Sequence, residues 1–253
     1  MELKNMLFYE GTRLLMGPLA EWHYGMKAEG NENVPEVGSG LVVSNHRSLL
    51  DPVALGYCIN RFVNFAAASY SFSMPIVKQL YTMAGAFPLS IHGGEESDHN
   101  ISRAENLLEQ GELVGIFPEG VQSFFNPQRA TKIAPFKTGF VKLALKTRVP
   151  IIPCTVIAGE ERELPKIPGF MVSSYVSLED AKEGIRFISY RHVTVRIGCP
   201  LDLSYYYDEP ATKAVLDRIA DRVRKIVVKL YNGEDLDRFL TGEEPFDFIN
   251  DSI

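Results

Sequence analysis

Residues 2–17 place Leu3, Met6, Leu7, Phe8, Leu14 and Leu15 on one broad apolar arc at helical spacing, which predicts a helix ending before Pro18. Its charges, Glu2, Lys4, Glu10 and Arg13, cancel. Interfacial membrane helices are usually richer in Lys and Arg, so packing on the body is the first reading of this arc and shallow lipid contact the sharper one. Trp22 and Tyr24, which follow, suit a membrane interface and a core equally. After the turn-rich stretch GNENVPEVGSG, the short apolar run LVVS reads as a buried strand. The pattern then alternates: a helix near 52–60, a strand near 62–68, a helix near 74–83, a strand near 86–90, a helix near 98–110 and the strand ELVGIF. PIIPCTVIA and HVTVRIG add two more strands, and residues 209–231 form a long helix with Arg and Lys on one face. Strands separated by helices predict an α/β fold, here a single domain with a largely parallel central sheet flanked by helices, plus an N-terminal helical segment. The expected divisions are 1–24 for that segment, 25–232 for the domain and 233–253 for a C-terminal tail.

Composition narrows the choice of function. With 253 residues, 45% hydrophobic and 23% charged, the chain is ordinary globular material, long enough for a substantial core. The net charge of -6 resides in the tail, where residues 233–253 hold seven acids and one base, leaving 25 of each in residues 1–232. A neutral body without a recognisable binding motif argues against nucleic acid as a partner. From Val121 to Gly159, however, there is no acid and there are six bases: Arg129, Lys132, Lys137, Lys142, Lys146 and Arg148. That stretch is either an anion-binding face or a solvated helix surface. Cys58, Cys154 and Cys199 are too few and too scattered for a disulfide framework or a zinc site, which points to a reducing compartment. No basic leader with an apolar run and no span of the ~18–20 apolar residues needed to cross a bilayer is expected.

The candidate chemistry lies in SNHRSLLDP, residues 44–52, directly after the LVVS strand. In a regular helix, residues five apart sit roughly 140° round the axis, so His46 and Asp51 meet only if the chain bends between them. The strand ending at Ser44 and the helix start at Asp51-Pro52 supply that bend. Ser48-x-x-Asp51 also matches a capping box, and Asp51 before Pro52 is a good cap in its own right. His46 changes the balance, because a histidine at the C-terminal end of a buried strand, beside Asn45 and Ser48, stands where open α/β sheets place their ligands. A carboxylate beside it fixes the tautomer and stabilises the imidazolium, which makes a general base for a hydroxyl or thiol. No G-x-S-x-G elbow, P-loop, G-x-G-x-x-G or H-E-x-x-H occurs, so the base is expected to activate a substrate's own hydroxyl. A second strand exit, VGIFPEG at 114–120, offers Glu119 to an acceptor hydroxyl and Gly120 for close backbone approach, although Pro-Glu-Gly is also ordinary turn chemistry.

Together these residues resemble the glycerolipid acyltransferase family, best known for acylating lysophosphatidic acid. NHRSLLD matches the family's first block, N-H-x-S-x-x-D, which carries its H-x4-D motif. GAFPLS, from Gly85 to Ser90, sits where the second block falls, FPEG with Ser123 matches the third, and VPIIPCTV at 149–156 matches the fourth. The resemblance implies that His46 is the general base and Asp51 its orienting partner. It implies that Asn45, Arg47, Ser48, Gly85, Ser90, Phe117, Pro118, Glu119, Gly120 and Gln122 surround the substrates, with Glu119 positioning the acceptor. It further implies an acyl thioester of coenzyme A (acyl-CoA) or of acyl carrier protein as co-substrate and a lipid acceptor, with no bound cofactor, no metal and no acyl-enzyme. The expected location is cytoplasmic, peripheral on the inner face of the membrane, and the expected role is in phospholipid or glycolipid biosynthesis.

The chain departs from the family at three cations. Members that take lysophosphatidic acid typically carry a lysine after the second strand, an arginine closing the second block and an arginine after the third, where this chain has Ala68, Ser90 and Gln122. Phosphate monoesters carry close to two charges and favour Arg and Lys partners. The expected acceptor is therefore a lipid without a phosphate monoester at that spot; the alternative is a lysophosphatidic acid acyltransferase in which Arg47, Lys78, Arg103 or Lys137 compensates. A non-catalytic lipid-binding relative and a hydrolase are the competing functions.

Overall fold

The computed structural model describes residues 23–73, 85–89, 95–120, 133–165 and 188–234, together with positions 11, 18, 21, 78, 79, 81, 82, 237 and 238. Seven strands form one sheet: β1 (Lys27–Glu29), β2 (Gly40–Ser44), β3 (Val63–Ala68), β4 (Phe87–Leu89), β5 (Leu113–Ile116), β6 (Ile151–Glu163) and β7 (Ile188–Ile197), in the order β1-β7-β6-β2-β5-β3-β4. Every neighbouring pair is parallel except β6 with β7. Among the described residues, four helices lie against the sheet: α1 (Asp51–Cys58), α2 (Glu95–Glu109), α3 (Gly139–Thr147) and α4 (Lys213–Asn232). The largely parallel α/β domain expected from the alternation is the one observed.

The centre of the sheet follows from LVVS. All five residues of β2 are buried, as a strand covered on both faces must be, and side-chain alternation sends Leu41 and Val43 to one core and Val42 to the other. The first core takes its other side from α2, α3 and α4, through residues such as Leu107, Phe140, Ile219 and Val223. The second is closed by α1 through Ala54, Leu55 and Cys58. Helix α4 buries Leu216, Ile219, Ala220, Val223, Ile226, Val227 and Leu230 at three- and four-residue spacing, and the left-handed Gly233 (φ 71°) ends it.

Several elements differ from expectation for physical reasons. Strand β1 is three residues of mostly exposed edge, too short for a period, and is recruited by pairing with β7. Helix α3 lay hidden in the basic stretch: Phe140, Val141, Leu143 and Ala144 face the core while Lys142 and Lys146 face out. Strand β6 runs on to Glu163, where exposed, charged residues pair with β7 as a two-stranded ribbon; that pairing is tertiary and leaves no alternation of hydrophobicity to read. The last helix begins at Lys213 rather than 209, since Thr212 Oγ1 accepts the Val215 N–H as its cap. Of the expected helix over 2–17 only Gly11 is described, and it is helical; Pro18, Glu21, His23 and Tyr24, beyond the expected end, are helical too. Of the helix expected near 74–83, positions 78, 79, 81 and 82 are described and helical. Beyond Glu234, the acidic tail apart from Asp237 and Arg238 lies outside the described residues.

Candidate active site

The site is built outward from the C-terminal end of β2. There Asn45, 1% exposed, substitutes its side chain for the next rung of the sheet. Its amide donates to Val156 O (3.0 Å) and its oxygen accepts from Val156 N–H (2.9 Å) and Thr155 Oγ1 (2.9 Å). Buried and engaged with β6, Asn45 fixes where the chain leaves the strand.

His46 follows at the edge of the core. Its Nδ1 lies 2.9 Å from Asp51 Oδ2, the imidazole side chain being 15% exposed and the carboxylate 0%. A buried carboxylate is an acceptor, so Nδ1 carries the proton and the ring lone pair sits on Nε2. The same Oδ2 accepts the main-chain N–H of Arg47 (2.6 Å) and of Ser48 (2.8 Å). The Ser48 bond is the return half of the capping box, and Leu50 N–H bonds to Ser48 Oγ (3.2 Å). Helix α1 itself has Leu50 as its N-cap with no side-chain bond, and the Asp51 N–H meets the Ser48 carbonyl, so the box is half formed: one carboxylate oxygen holds the histidine and closes the turn at Ser48. Tyr190, 3% exposed on β7, faces this carboxylate as well. Burial first, then the Asp51 charge, hold its phenol far above its ordinary range, so it remains protonated.

The turn after β5 supports the imidazole from a second side. Phe117 stacks on His46 with ring centres 4.0 Å apart, and Phe65 stacks on Phe117 at 5.7 Å. That pile requires Gly115, because a Cβ there would stand 2.4 Å from the Phe65 ring. Glu119, 6% exposed, accepts the His46 N–H on Oε1 (2.8 Å) and the Ala134 N–H on Oε2 (2.8 Å). Burial pushes its carboxyl up, while these two hydrogen bonds and His46 pull it back. Pro118 is buried, and its carbonyl accepts the Lys137 N–H (3.0 Å). Gly120 has φ +74°, and a Cβ on it would lie 3.0 Å from Lys137 Nζ.

Other expected contacts fall elsewhere. Ser48, 2% exposed, donates to Ile188 O (2.5 Å) and ties the motif to the ribbon. The Arg47 guanidinium bonds Glu161 Oε2 (2.9 Å) and Tyr231 (3.3 Å), so it clamps the same ribbon. Gly85 packs on Phe62 and Asn64 near the start of β3, towards the opposite end of the strands from His46, and belongs to the scaffold. Ser90 and Gln122 lie outside the described residues. Ala68 is half-buried at the end of β3. Within the basic stretch, Lys146 pairs with Glu105 (2.6 Å) and Arg148 lies over the Tyr207 ring (5.4 Å), whereas Lys137 has no ion-pair partner among the described residues. Tyr190 and Ala134 were not singled out by sequence; Tyr190 meets Asp51 from far along the chain, Ala134 meets Glu119 at a separation of 15 residues, and no local signal marks either.

A buried carboxylate, a histidine with one nitrogen committed to it, and a position at the strand ends make His46 and Asp51 a candidate acid–base pair. The family model described as Acyltransferase matches residues 25–157, and the chain belongs to this family. The uncharacterized protein Rv0502 of Mycobacterium tuberculosis is 30% identical over 153 residues, which cover 54% of this chain and 38% of that protein. The chloroplastic 1-acyl-sn-glycerol-3-phosphate acyltransferase BAT2 of Brassica napus is 30% identical over 135 residues, covering 53% and 38%. The chain therefore spans little more than a third of the length of either relative. Among solved structures, the crystal structure of the 1-acyl-sn-glycerophosphate (LPA) acyltransferase PlsC from Thermotoga maritima matches with a TM-score of 0.59 at 19% identity, covering 89% of this chain and 80% of that one, a likeness of fold.

Proposed function

We propose that the chain is an O-acyltransferase that moves a fatty acyl group from an acyl thioester, of coenzyme A or acyl carrier protein, to a lipid hydroxyl. The observation that carries this reading is the His46–Asp51 pair at the end of β2, held in one tautomer by a fully buried carboxylate. In the proposed reaction Nε2 takes the proton of the acceptor hydroxyl as its oxygen attacks the thioester carbonyl. The tetrahedral intermediate collapses with the C–S bond breaking, and the thiolate leaves with the proton from the imidazolium. Asp51 keeps Nδ1–H in place throughout and offsets the transient positive charge. Such a base contributes about 10²–10⁴-fold to rate.

For the acceptor we propose a lipid without a phosphate monoester. Ala68 gives no charge at the end of β3, and Arg47 is already committed to Glu161 and Tyr231. A second reading, a phosphate monoester acceptor, is favoured by one observation: Lys137 Nζ lies against the FPEG turn at Gly120 and lacks an ion-pair partner among the described residues. No helix among the described residues is long and apolar enough to cross a membrane. A lipid acceptor would then be met at a membrane surface. An assay offering acyl-coenzyme A and acyl carrier protein to lysophosphatidic acid and to phosphate-free lipid alcohols and glycolipids, with Lys137→Ala beside wild type, separates the two readings. Transfer to the phosphate-free set, unchanged in the variant, supports the first; transfer to lysophosphatidic acid, lost in the variant, supports the second.

A further inference from the structure

Segment 133–137 has no helix or strand of its own, yet it touches the candidate base through Glu119. Its carbonyls therefore need partners from elsewhere. Arg224, midway along α4, supplies them: Nη2 donates to Ile133 O (2.7 Å), and Nε is shared between Ala134 O (3.0 Å) and Ile133 O (3.2 Å). The planar guanidinium fork fits two consecutive carbonyls in a way a lysine ammonium does not. On the far side of the same peptide, the Ala134 N–H meets Glu119 Oε2, and Glu119 Oε1 holds the His46 N–H. A continuous chain of hydrogen bonds thus joins the C-terminal helix to the main chain of the histidine.

We propose that Arg224 is a positioning residue for acyl transfer, acting through Ala134 and Glu119 to hold the His46 imidazole in register with Asp51. This rests on the reading of His46 as the base. Without the guanidinium, the 133–134 carbonyls turn towards water and Ala134 N–H leaves Glu119. The carboxylate then holds His46 alone. Among the described residues, the groups facing Glu119 are His46 and Asp51 from the motif and the Ala134 N–H that Arg224 fixes, with Lys137 beside the neighbouring Gly120. Burial already pushes this carboxyl up, and losing one of the two N–H donors that oppose burial moves its protonation to still higher pH.

The test compares Arg224→Gln and Arg224→Lys with Arg218→Gln, an exposed position on the same helix that carries the same charge change. Steady-state kinetics is measured against pH, and amide hydrogen exchange is followed at Ala134 and His46 by NMR. In Arg224→Gln, kcat falls on the order of 10- to 100-fold, as expected for a misplaced catalytic group. KM values for donor and acceptor stay within about twofold, and the acid limb of kcat moves to higher pH. The two amides exchange faster than the rest of the sheet, Arg224→Lys falls between, and Arg218→Gln matches wild type. A wild-type kcat and acid limb in Arg224→Gln would overturn the assignment. So would a rise in KM at constant kcat, which would make Arg224 a substrate contact, or a uniform loss of protection across the sheet, which would make it a general fold residue. If wild type transfers no acyl group at all, the reading of the reaction fails, while the exchange at Ala134 and His46 still decides whether Arg224 holds the chain to Glu119.

Discussion

A single oxygen, Asp51 Oδ2, takes three donors: the imidazole Nδ1–H and the N–H groups of Arg47 and Ser48. Its carboxylate is fully buried, so a neutral replacement changes both fold and chemistry. Asp51→Ala orphans two main-chain donors at about 1–3 kcal/mol each. Urea unfolding of that variant should show a loss of about 2–5 kcal/mol, accompanied by the loss of acyl transfer. A stable but inactive variant would mean that Asp51 serves only the histidine. Glu119 behaves differently, because burial raises its carboxyl. A carboxyl raised on folding binds its proton more tightly in the native state, so its contribution to stability is full below the unfolded value and is lost as pH rises through the native one. Glu119→Gln removes that contribution; the gap in unfolding free energy between wild type and variant should therefore be wider near pH 4 than near pH 7. An equal gap at both pH values would contradict the burial effect.

At the scale of elements, the strand-to-helix unit β2–α1 carries the motif, and the β6–β7 ribbon closes over it. Asn45 joins β2 to β6, Ser48 reaches Ile188 and Arg47 reaches Glu161. The Arg47–Glu161 pair is about a quarter exposed on average, from 17% and 31%, so a double-mutant cycle should return a coupling of about 1 kcal/mol. A coupling of zero would leave the ribbon without an electrostatic clamp. The contrast between β2 and the ribbon also explains what sequence could tell. LVVS and NHRSLLD were legible because their patterns are local: a run of aliphatics, a bend and a cap within nine residues, 44–52, and the strand before them. The end of β6, the edge strand β1 and the roles of Asn45, Ser48, Tyr190 and Arg224 were not, because each is decided by a tertiary partner, 91 residues away for Arg224 and 111 for Asn45. Asn45 illustrates the difference: a polar residue beside a candidate catalytic histidine reads as a substrate contact, while its strand-like pairing with β6 leaves no mark in the local sequence.

For the whole molecule, topology brings the ends of β2 and β5 together, so motifs separated by seventy residues in sequence share one site: His46 and Glu119 meet because their strands are neighbours. The acceptor question belongs at this scale, since the positions that would form a phosphate pocket come from different strand ends. Ser90→Arg combined with Gln122→Arg should raise activity on a phosphate monoester acceptor relative to a phosphate-free one. No change in that ratio would place the recognition elsewhere, with Lys137 the residue to test next.

The most direct measurement is acyl transfer from a thioester to a lipid hydroxyl by purified wild type and His46→Ala, run side by side with release of free fatty acid followed in the same samples. The mechanism requires ester product from wild type, a fall on the order of 10²–10⁴-fold in the variant, and little free acid from either. Free acid in place of ester would mean that the base activates water and the protein is a hydrolase. Equal ester formation by the two proteins would contradict the role of His46 outright.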